Sequence, residues 1–179
     1  MLLCMSEVRK TPAKMKDPLL ARHNSEMARA AALAMAGNHA ETVEACSELL
    51  TSELYPDMEK AGKKEAARRC RAEVRLMLGS AMHFTDSHYE DIVRVLTYAL
   101  DSPADIRKDA LFTLAIVHQS FGHEKEAEAA MERCRVELSA LQKEKGATAS
   151  DCSSWEQQDK EAAMFLEGLK KSVPKHGTN

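Results

Sequence analysis

The fold is decided by one stretch of the sequence, Ala110-Leu-Phe-Thr-Leu-Ala-Ile-Val-His-Gln-Ser-Phe-Gly-His-Glu-Lys-Glu-Ala-Glu-Ala-Ala-Met-Glu-Arg-Cys134. Two segments of helix length flank Gly122, and apolar residues recur in each at helical spacing. Antiparallel helices approach closely only where side chains are small, and Ala115 and Ala127 supply such positions. Gly122 tolerates the backbone angles of a tight turn. The stretch therefore predicts two antiparallel helices joined by a short turn.

A similar but less regular pair is predicted nearer the N-terminus. Its first helix runs from about residue 24 to 36 and ends at Gly37, and its second helix begins at Asn38. Glu41 lies three residues after Asn38, the spacing of a capping box. The second helix carries apolar residues on one side and is expected to stop at Tyr55-Pro56, because proline interrupts helical hydrogen bonding.

Another pair is predicted in the middle of the chain. A long helix is expected from about Met58 to Phe84, broken at most locally by Gly62, and its partner is expected to begin after a cap at Ser87. The third pair then starts at a clear helix signal, in which Ser102 can cap and Pro103 suits the first helical position.

The remaining sequence predicts one terminal helix. Ser153 and Glu156 have capping-box spacing, and an apolar stripe follows from Trp155 to Val173. Such a helix can cover the apolar face that the last pair otherwise leaves in water. The chain is accordingly divided into four parts, namely a flexible N-terminal arm at 1–22, a helical repeat domain at 23–145, a loop and capping helix at 146–173, and a tail at 174–179.

The composition indicates an all-α domain without a membrane span. Of the 179 residues 44% are hydrophobic but only 4% are aromatic, which suits helix-on-helix packing better than a β-sandwich. The formal net charge of -3 creates no overall field that attracts nucleic acid or anionic lipid. Five cysteines without a Cys-x-x-Cys pair favour reduced thiols and a cytoplasmic location. Basic residues among the first 22 positions keep the mitochondrial matrix as the alternative.

The helix-pair pattern resembles the tetratricopeptide repeat. When Leu114 is placed at the seventh position of that repeat, Ala115 falls at the small eighth position, Gly122 at the fifteenth and Ala127 at the twentieth. The resemblance is closest over residues 105–138 and extends in weaker form over residues 73–100 and 24–54. It implies an all-α fold of about three antiparallel helix pairs in a short right-handed solenoid, closed by a C-terminal capping helix.

The middle pair departs from the family pattern. Leu78-Gly79 matches the leucine-glycine pair of the repeat, but Ile92 then falls one residue late for the usual small position, so a longer turn is expected. The interval from Leu78 to Leu114 is 36 residues, against a family period of about 34.

The resemblance also implies a concave groove lined by the first helix of each pair. The positions that face this groove in the family correspond here to Leu76, Met77, Ser80, His83, Phe84, Phe112, Thr113, Ile116 and Gln119, with Glu73, Asp109 and Ser120 completing the set. Apolar residues among them would suit an amphipathic helix or an extended peptide. The alternative is that the terminal helix or the N-terminal arm fills the groove.

A basic patch forms a second candidate site. Its members are Lys60, Lys63, Lys64, Arg68, Arg69, Arg71 and Arg75. They are interpreted as a docking surface for an acidic protein segment, as contacts to RNA phosphates, or as a solvated helix face with pairs such as Glu65 with Arg69. The absence of aromatic residues from Ala61 to Met82 disfavours RNA, because no ring is available to stack on bases.

No catalytic, cofactor or metal site is predicted. Phosphate-loop, nucleophile-elbow and zinc-protease motifs are missing from the sequence. His83, Asp86, His88 and Glu90 lie close together but do not have the spacing of helical metal ligands. We therefore expect a non-enzymatic adaptor or subunit of a larger assembly that binds a protein partner in the groove. The alternative is an RNA-associated subunit of a ribonucleoprotein complex that uses the basic patch.

Overall fold

The computed structural model describes residues 17–143 and 149–172, and every regular element in these ranges is an α-helix. The helices are α1 (Pro18–Met35), α2 (His39–Thr51), α3 (Leu54–Lys60), α4 (Lys64–Met82), α5 (Tyr89–Ala99), α6 (Ala104–Ser120), α7 (Glu124–Leu141) and α8 (Ala149–Ser172). The all-α prediction is thereby confirmed for the described residues. None of these helices has the length and apolar character that a membrane crossing requires.

Helix α1 begins earlier than the sequence predicted. Pro18 is its first residue, and Asp17 caps it by accepting a hydrogen bond of 3.1 Å from the amide of Leu19. Proline suits the first helical turn, where its missing N–H has no helical partner to lose. Residues 18–22, which were predicted to belong to the flexible arm, are therefore helical. Residues 1–16 of that arm lie outside the described residues.

The long helix predicted from Met58 to Phe84 is two helices. Gly62 has a backbone φ of +77° and ends α3, with the amide of Lys63 bonded to the carbonyl of Met58 at 2.9 Å. This is the usual role of glycine after a helix, because the left-handed conformation costs it little. The prediction that Pro56 ends a helix is wrong. Pro56 lies in the first turn of α3, where proline is tolerated.

The predicted capping boxes do not form. Asn38 precedes α2 without a side-chain cap and instead donates a hydrogen bond of 3.4 Å to Glu41. His88 rather than Ser87 precedes α5, and the Ser87 hydroxyl instead lies 2.8 Å from the hydroxyl of Thr85. Helix α6 follows Pro103, one residue later than predicted. Helix α8 begins at residue 149, so the predicted cap of the terminal helix lies inside it.

Helices that follow one another pack together along the chain. Contacts join α1 to α2, α2 to α4, α4 to α5, α5 to α6, α6 to α7 and α7 to α8, while α4 also contacts α1 and α6. The tight turns at Gly37 and Gly122 have φ values of +79° and +80°, which confirms both as turn glycines. The chain thus forms three hairpins, α1 with α2, α4 with α5 and α6 with α7, with α3 inserted after the first and α8 packed beside the last.

Two apolar cores hold these helices together. The first core contains buried residues of α1 to α4, namely Ala30, Ala45, Cys46, Leu49, Leu54, Tyr55, Met58, Ala67, Cys70, Val74, Met77 and Leu78. The second core contains buried residues of α5 to α8, namely Ile92, Leu96, Leu111, Leu114, Ala115, Val117, Ala130, Met131, Cys134, Leu138, Ala162 and Leu166.

Small residues allow the closest approaches between helices. Ala115 and Ala127 are completely buried where α6 and α7 face each other, as their size predicted. Gly79 of α4 lies against Leu96 of α5 so closely that a Cβ atom at Gly79 would be 2.5 Å from the Leu96 Cγ. The leucine-glycine pair at 78–79 therefore has a packing role, because the Leu96 side chain fills the space beside the glycine.

Candidate interaction surface

The turns of the three hairpins lie together at one edge of the molecule. Seven aromatic and imidazole rings from these turns contact one another there. We call this surface the aromatic edge, and its members are His39, His83, Phe84, Tyr89, His118, Phe121 and His123. Because residues this far apart in sequence touch, the three hairpins must point their turns in the same direction.

The rings form a continuous chain across the edge. His39, at the start of α2, stacks on Phe84 with ring centroids 4.7 Å apart, and Phe84 contacts His83 edge-on at 5.1 Å. His83 approaches Phe121 at 6.5 Å, and Phe121 lies 5.2 Å from Tyr89. Stacked rings at such distances are attractive, so the pair of His39 and Phe84 joins the first hairpin to the second at the edge.

Tyr89 anchors the far end of the chain of rings. Its ring stacks on His123 with centroids 4.3 Å apart and planes only 11° from parallel. Its hydroxyl lies 2.7 Å from Nδ1 of His118, a hydrogen bond between the start of α5 and the end of α6. Helices of two different hairpins are thereby fixed relative to each other.

Three rings of the aromatic edge are exposed to solvent, namely Phe84, Phe121 and His123. The Phe84 side chain is 61% exposed and Phe121 is 45% exposed, although phenylalanine is normally buried. A shallow recess of about 410 Å³ lies beside Phe84, and its walls include His39, Glu41 and Asp86. Exposed apolar groups that are rimmed by polar residues are typical of protein interaction sites.

Two histidine nitrogens at this edge are buried without a hydrogen-bond partner among the described residues. They are Nδ1 of His39 and Nδ1 of His83. Burial lowers the pKa of His83, and it also lowers the pKa of His118, where Glu126 acts in the opposite direction and His123 in the same direction. The aromatic edge therefore favours the neutral imidazole at His83 and at His118.

Acidic side chains surround the rings. The segments that carry the edge, residues 37–41, 83–90 and 118–126, contain five carboxylates and one basic residue, Lys125. The carboxylates are Glu41, Asp86, Glu90, Glu124 and Glu126, and all five side chains are exposed. Burial raises the pKa of Tyr89, and Glu126 and Glu90 add to this effect because they place negative charge close to the phenol. The surface around the rings is thus electronegative.

The predicted groove residues are only partly accessible. Met77 and Thr113 are buried, so they do not line an open groove, and this part of the prediction is corrected. Their positions face the interior because neighbouring helices cover them. Leu76, Ser80, Phe112 and Ile116 are half-buried, whereas Gln119 is exposed. His83 and Phe84, also predicted for the groove, belong to the aromatic edge.

Helix α8 packs at the end of the last hairpin. Among the α8 side chains that the structure describes, Ala162, Leu166 and Leu169 are buried, and the contacts of the helix are mainly with α7. Gln158 reaches across to α6, where it accepts from Lys108 at 2.8 Å and donates to Asp109 at 2.9 Å. Asp109, a predicted groove position, is therefore engaged by the terminal helix.

Most residues of the basic patch form ion pairs with carboxylates of the same molecule. Lys63 lies 2.7 Å from Asp17 at the start of α1, and Lys60 pairs with Asp57 at 3.1 Å. Arg68 is bonded to both the side chain and the carbonyl of Asp101. The Lys63 and Arg68 contacts connect the start of α4 to the chain before and after it, whereas the Lys60 pair lies within α3.

The central arginines of the patch are also occupied. Arg69 donates two hydrogen bonds to Asp105 of α6, the shorter at 2.6 Å, and a third to Glu73, and the hydrogen bond to Asp105 is the main reason why the pKa of Arg69 is raised. Arg71 pairs with Glu59 and lies over the ring of Tyr55.

The last two members of the patch differ from each other. Arg75 lies over the ring of Tyr98, 5.3 Å from its centroid, and donates to the Tyr98 carbonyl. Lys64 has no ion pair with another described residue. The patch as a whole therefore acts chiefly to join α4 to its neighbours.

Sequence reasoning missed most of the aromatic edge. His39 and His123 lie at the starts of α2 and α7, and the sequence pattern indicated no role for Tyr89, His118 or Phe121. The available signal was positional, since each of these rings lies within a few residues of a turn between two predicted helices. Only the relative orientation of the hairpins shows that they meet.

Comparisons with models of known protein families, with curated protein sequences and with solved structures return no match to this chain.

Proposed function

We propose that this chain is a non-enzymatic protein-interaction module whose aromatic edge binds a helix or peptide that carries arginine or lysine beside apolar residues. The observation that supports this proposal is the exposure of Phe84 and Phe121 within a chain of rings surrounded by carboxylates. Aromatic residues contribute strongly to protein interfaces, and desolvating these two rings would release most of the binding free energy.

The charges around the edge favour a basic partner. Arginine and lysine side chains are attracted both by carboxylates and by the faces of aromatic rings, at about 0.5–2 kcal/mol for each ring contact. Glu41 and Asp86 stand at the recess beside Phe84, so a cationic side chain placed there would meet opposite charge on both walls. An acidic segment would be repelled from the same surface.

A tandem-repeat arrangement similar to tetratricopeptide repeats is part of the proposal. It is supported by three successive hairpins with their turns at one edge, by contacts of α4 with both α1 and α6, and by α8 packed at the end. In such an arrangement each hairpin completes the apolar face of the one before it. The aromatic edge then runs along the array and presents one long surface to an extended partner.

The RNA-associated alternative receives less support. Six of the seven residues in the basic patch contact carboxylates, a carbonyl or a ring of the same molecule, which leaves few positive charges for phosphates. The aromatic edge offers rings for stacking, but its carboxylates would repel a phosphate backbone.

Three buried free cysteines support a reducing compartment, and we place the module in the cytoplasm. Cys46, Cys70 and Cys134 form no disulfide bond and are buried, as is typical of cysteines in a reducing compartment. Location of the tagged protein by microscopy and fractionation tests this assignment.

The experiment that tests the function is affinity capture with matched variants. The tagged full-length chain, a Phe84→Ser/Phe121→Ser double variant and a Tyr98→Ser control are used to capture proteins from the native cell, with and without nuclease. Tyr98 is 58% exposed but lies away from the aromatic edge, so it controls for the loss of any exposed ring. Basic segments of the captured proteins are then made as synthetic peptides, and each peptide is titrated against each variant.

We expect the wild-type chain and the control to bind the same basic segment, and the double variant to lose at least about tenfold in affinity, since two interface rings are worth about 1–2 kcal/mol or more each. Capture that disappears on nuclease treatment would favour the RNA-associated function instead. Equal binding by the double variant would contradict the proposed surface.

A further inference from the structure

His23, Cys70 and Glu73 bring three metal-ligating atoms together in the first core. His23 of α1 is 1% exposed, and its Nε2 lies 3.2 Å from Oε2 of Glu73 on α4. Cys70 and Glu73 are three residues apart and therefore share a face of α4. The three ligand atoms all lie within 4.8 Å of one another. Two separate helices thus supply an imidazole, a thiol and a carboxylate to one point.

Neighbouring side chains orient two of these ligands without occupying their metal-facing atoms. The Tyr55 hydroxyl lies 3.4 Å from Nδ1 of His23, on the side of the ring opposite to Glu73. Arg69 donates to Oε1 of Glu73 at 3.1 Å and leaves Oε2 directed at His23. Outer partners of this kind are typical of metal-bound histidines and carboxylates, because they fix the ligand orientation.

We propose that His23, Cys70 and Glu73 form a zinc site that joins α1 to α4. Neighbouring ligand atoms around a tetrahedral Zn²⁺ lie about 3.4 Å apart, given metal–ligand distances near 2.0–2.3 Å. The imidazole Nε2 and the carboxylate Oε2 already have nearly this separation at 3.2 Å, and Sγ of Cys70 lies within 4.8 Å of both atoms. The Glu73 side chain is one-third exposed, so a water molecule can reach the fourth position from that side.

The charges of the site balance with a divalent cation. The thiolate of Cys70 and the carboxylate of Glu73 together carry two negative charges. Arg69 is shared between Glu73 and Asp105, so the thiolate, these two carboxylates and the guanidinium together carry a net charge of -2, which a divalent cation balances. Neutral His23 adds no charge. A mixed sulfur, nitrogen and oxygen set is suited to Zn²⁺ and unsuited to Mg²⁺ or Ca²⁺, which take oxygen ligands.

Metal titration of the full-length chain tests this inference independently of any partner. The metal-free, reduced protein is titrated with Zn²⁺ against a chromophoric chelator and with Co²⁺ by absorption spectroscopy. The variants are Cys70→Ser, His23→Gln and Glu73→Gln. The control is Cys134→Ser, which removes a buried thiol of the second core.

We expect one equivalent of Zn²⁺ and a thiolate-to-Co²⁺ charge-transfer band in the wild-type and Cys134→Ser proteins. Cys70→Ser should lose the band, and all three ligand variants should bind Zn²⁺ at least about tenfold more weakly. Glu73→Gln, at a partly exposed position, keeps the test valid if a buried variant fails to fold. No Zn²⁺ binding by the wild-type protein, or a band that persists in Cys70→Ser, would overturn the site and leave these residues as a hydrogen-bonded structural cluster.

Discussion

The basic patch and the aromatic edge lie towards opposite ends of α4 and use their side chains in opposite ways. At the basic patch, charged residues that stand out in the sequence are paired within the molecule, as Arg69 is with Asp105. At the aromatic edge, rings that are scattered through the sequence come together, and three of them stay exposed. A conspicuous run of charge can therefore be paired within the molecule, while a surface available to a partner forms from residues that no local pattern connects.

The largest loss of stability is expected when the ring of Tyr55, which lies beneath Arg71 of the basic patch, is removed. Tyr55 is completely buried, with Arg71 over its ring at 5.2 Å. Tyr55→Ala should lower the free energy of unfolding by about 3–5 kcal/mol, because a large cavity opens in the first core. Phe84→Ala at the aromatic edge should change it by less than about 1 kcal/mol. Chemical denaturation of both variants measures the contrast, and similar losses would show that Phe84 is also a core residue.

The next largest change in the free energy of unfolding is expected on α4 at Gly79, which lies between the basic patch and the aromatic edge. A methyl group at Gly79 would meet the Leu96 side chain, so Gly79→Ala should destabilise the protein by about 1–3 kcal/mol despite the higher helix propensity of alanine. Gly168→Ala on α8 is the matched control, since a Cβ atom there meets nothing within 4 Å. A stabilising Gly79→Ala would mean that α4 and α5 are not packed this closely.

Lowering the pH should weaken the aromatic edge more than the basic patch. The pKa values of His83 and His118 are lowered from the ordinary value of 6.5 because burial disfavours their charged forms. Above 6.5 both are neutral in the folded and unfolded chains, and as the pH falls below it the unfolded chain takes up the protons first. Stability is therefore lost as the pH falls from 6.5 through the lowered pKa values, at no more than about 1.4 kcal/mol per pH unit for each histidine.

Denaturant titrations between about pH 7.5 and about pH 5 measure this dependence, because that range extends from about 1 unit above to about 1.5 units below the ordinary histidine pKa. A His83→Gln/His118→Gln variant should show a smaller loss over the same range. An equal loss would assign the pH dependence to other groups.

The smallest effect is expected from the ion pair between α4 and α6. Arg69 and Asp105 are each 41% exposed, so solvent screens their attraction and a double-mutant cycle with Arg69→Met and Asp105→Asn should give a coupling of about 0.5–1 kcal/mol. Raised salt should reduce it. A coupling near zero would show that the basic patch contributes little to the packing of α4 and would return it to consideration as a binding surface.

Helix content and the turn glycines could be predicted from the sequence because helical periodicity and positive φ are local properties. The positions of Ala115, Gly122 and Ala127 followed directly from spacing and size. Capping could not be predicted in the same way, since Asn38 and Ser87 found other hydrogen-bond partners. Pro56 was interpreted as a helix breaker although it lies in the first turn of a helix.

The candidate site was less accessible to sequence reasoning for a physical reason. His39, Phe84 and Phe121 are separated by about 40 residues each and meet only because the three hairpins are parallel. The pairing of the basic patch likewise depends on Asp101, in the connection between α5 and α6, and on Asp105, in the next hairpin. Local patterns carry no information about either set of contacts.

Helix α4 has a consequence for how the molecule unfolds. Cys70, Val74 and Leu78 belong to the first core, Leu76 packs against the second, and Met82 packs against both. Neither core is complete without this helix, so a chain divided at the turn after α4 would leave the α5–α8 half without part of its apolar contacts. The two cores are therefore expected to melt in one cooperative transition, although each is built from a separate set of helices.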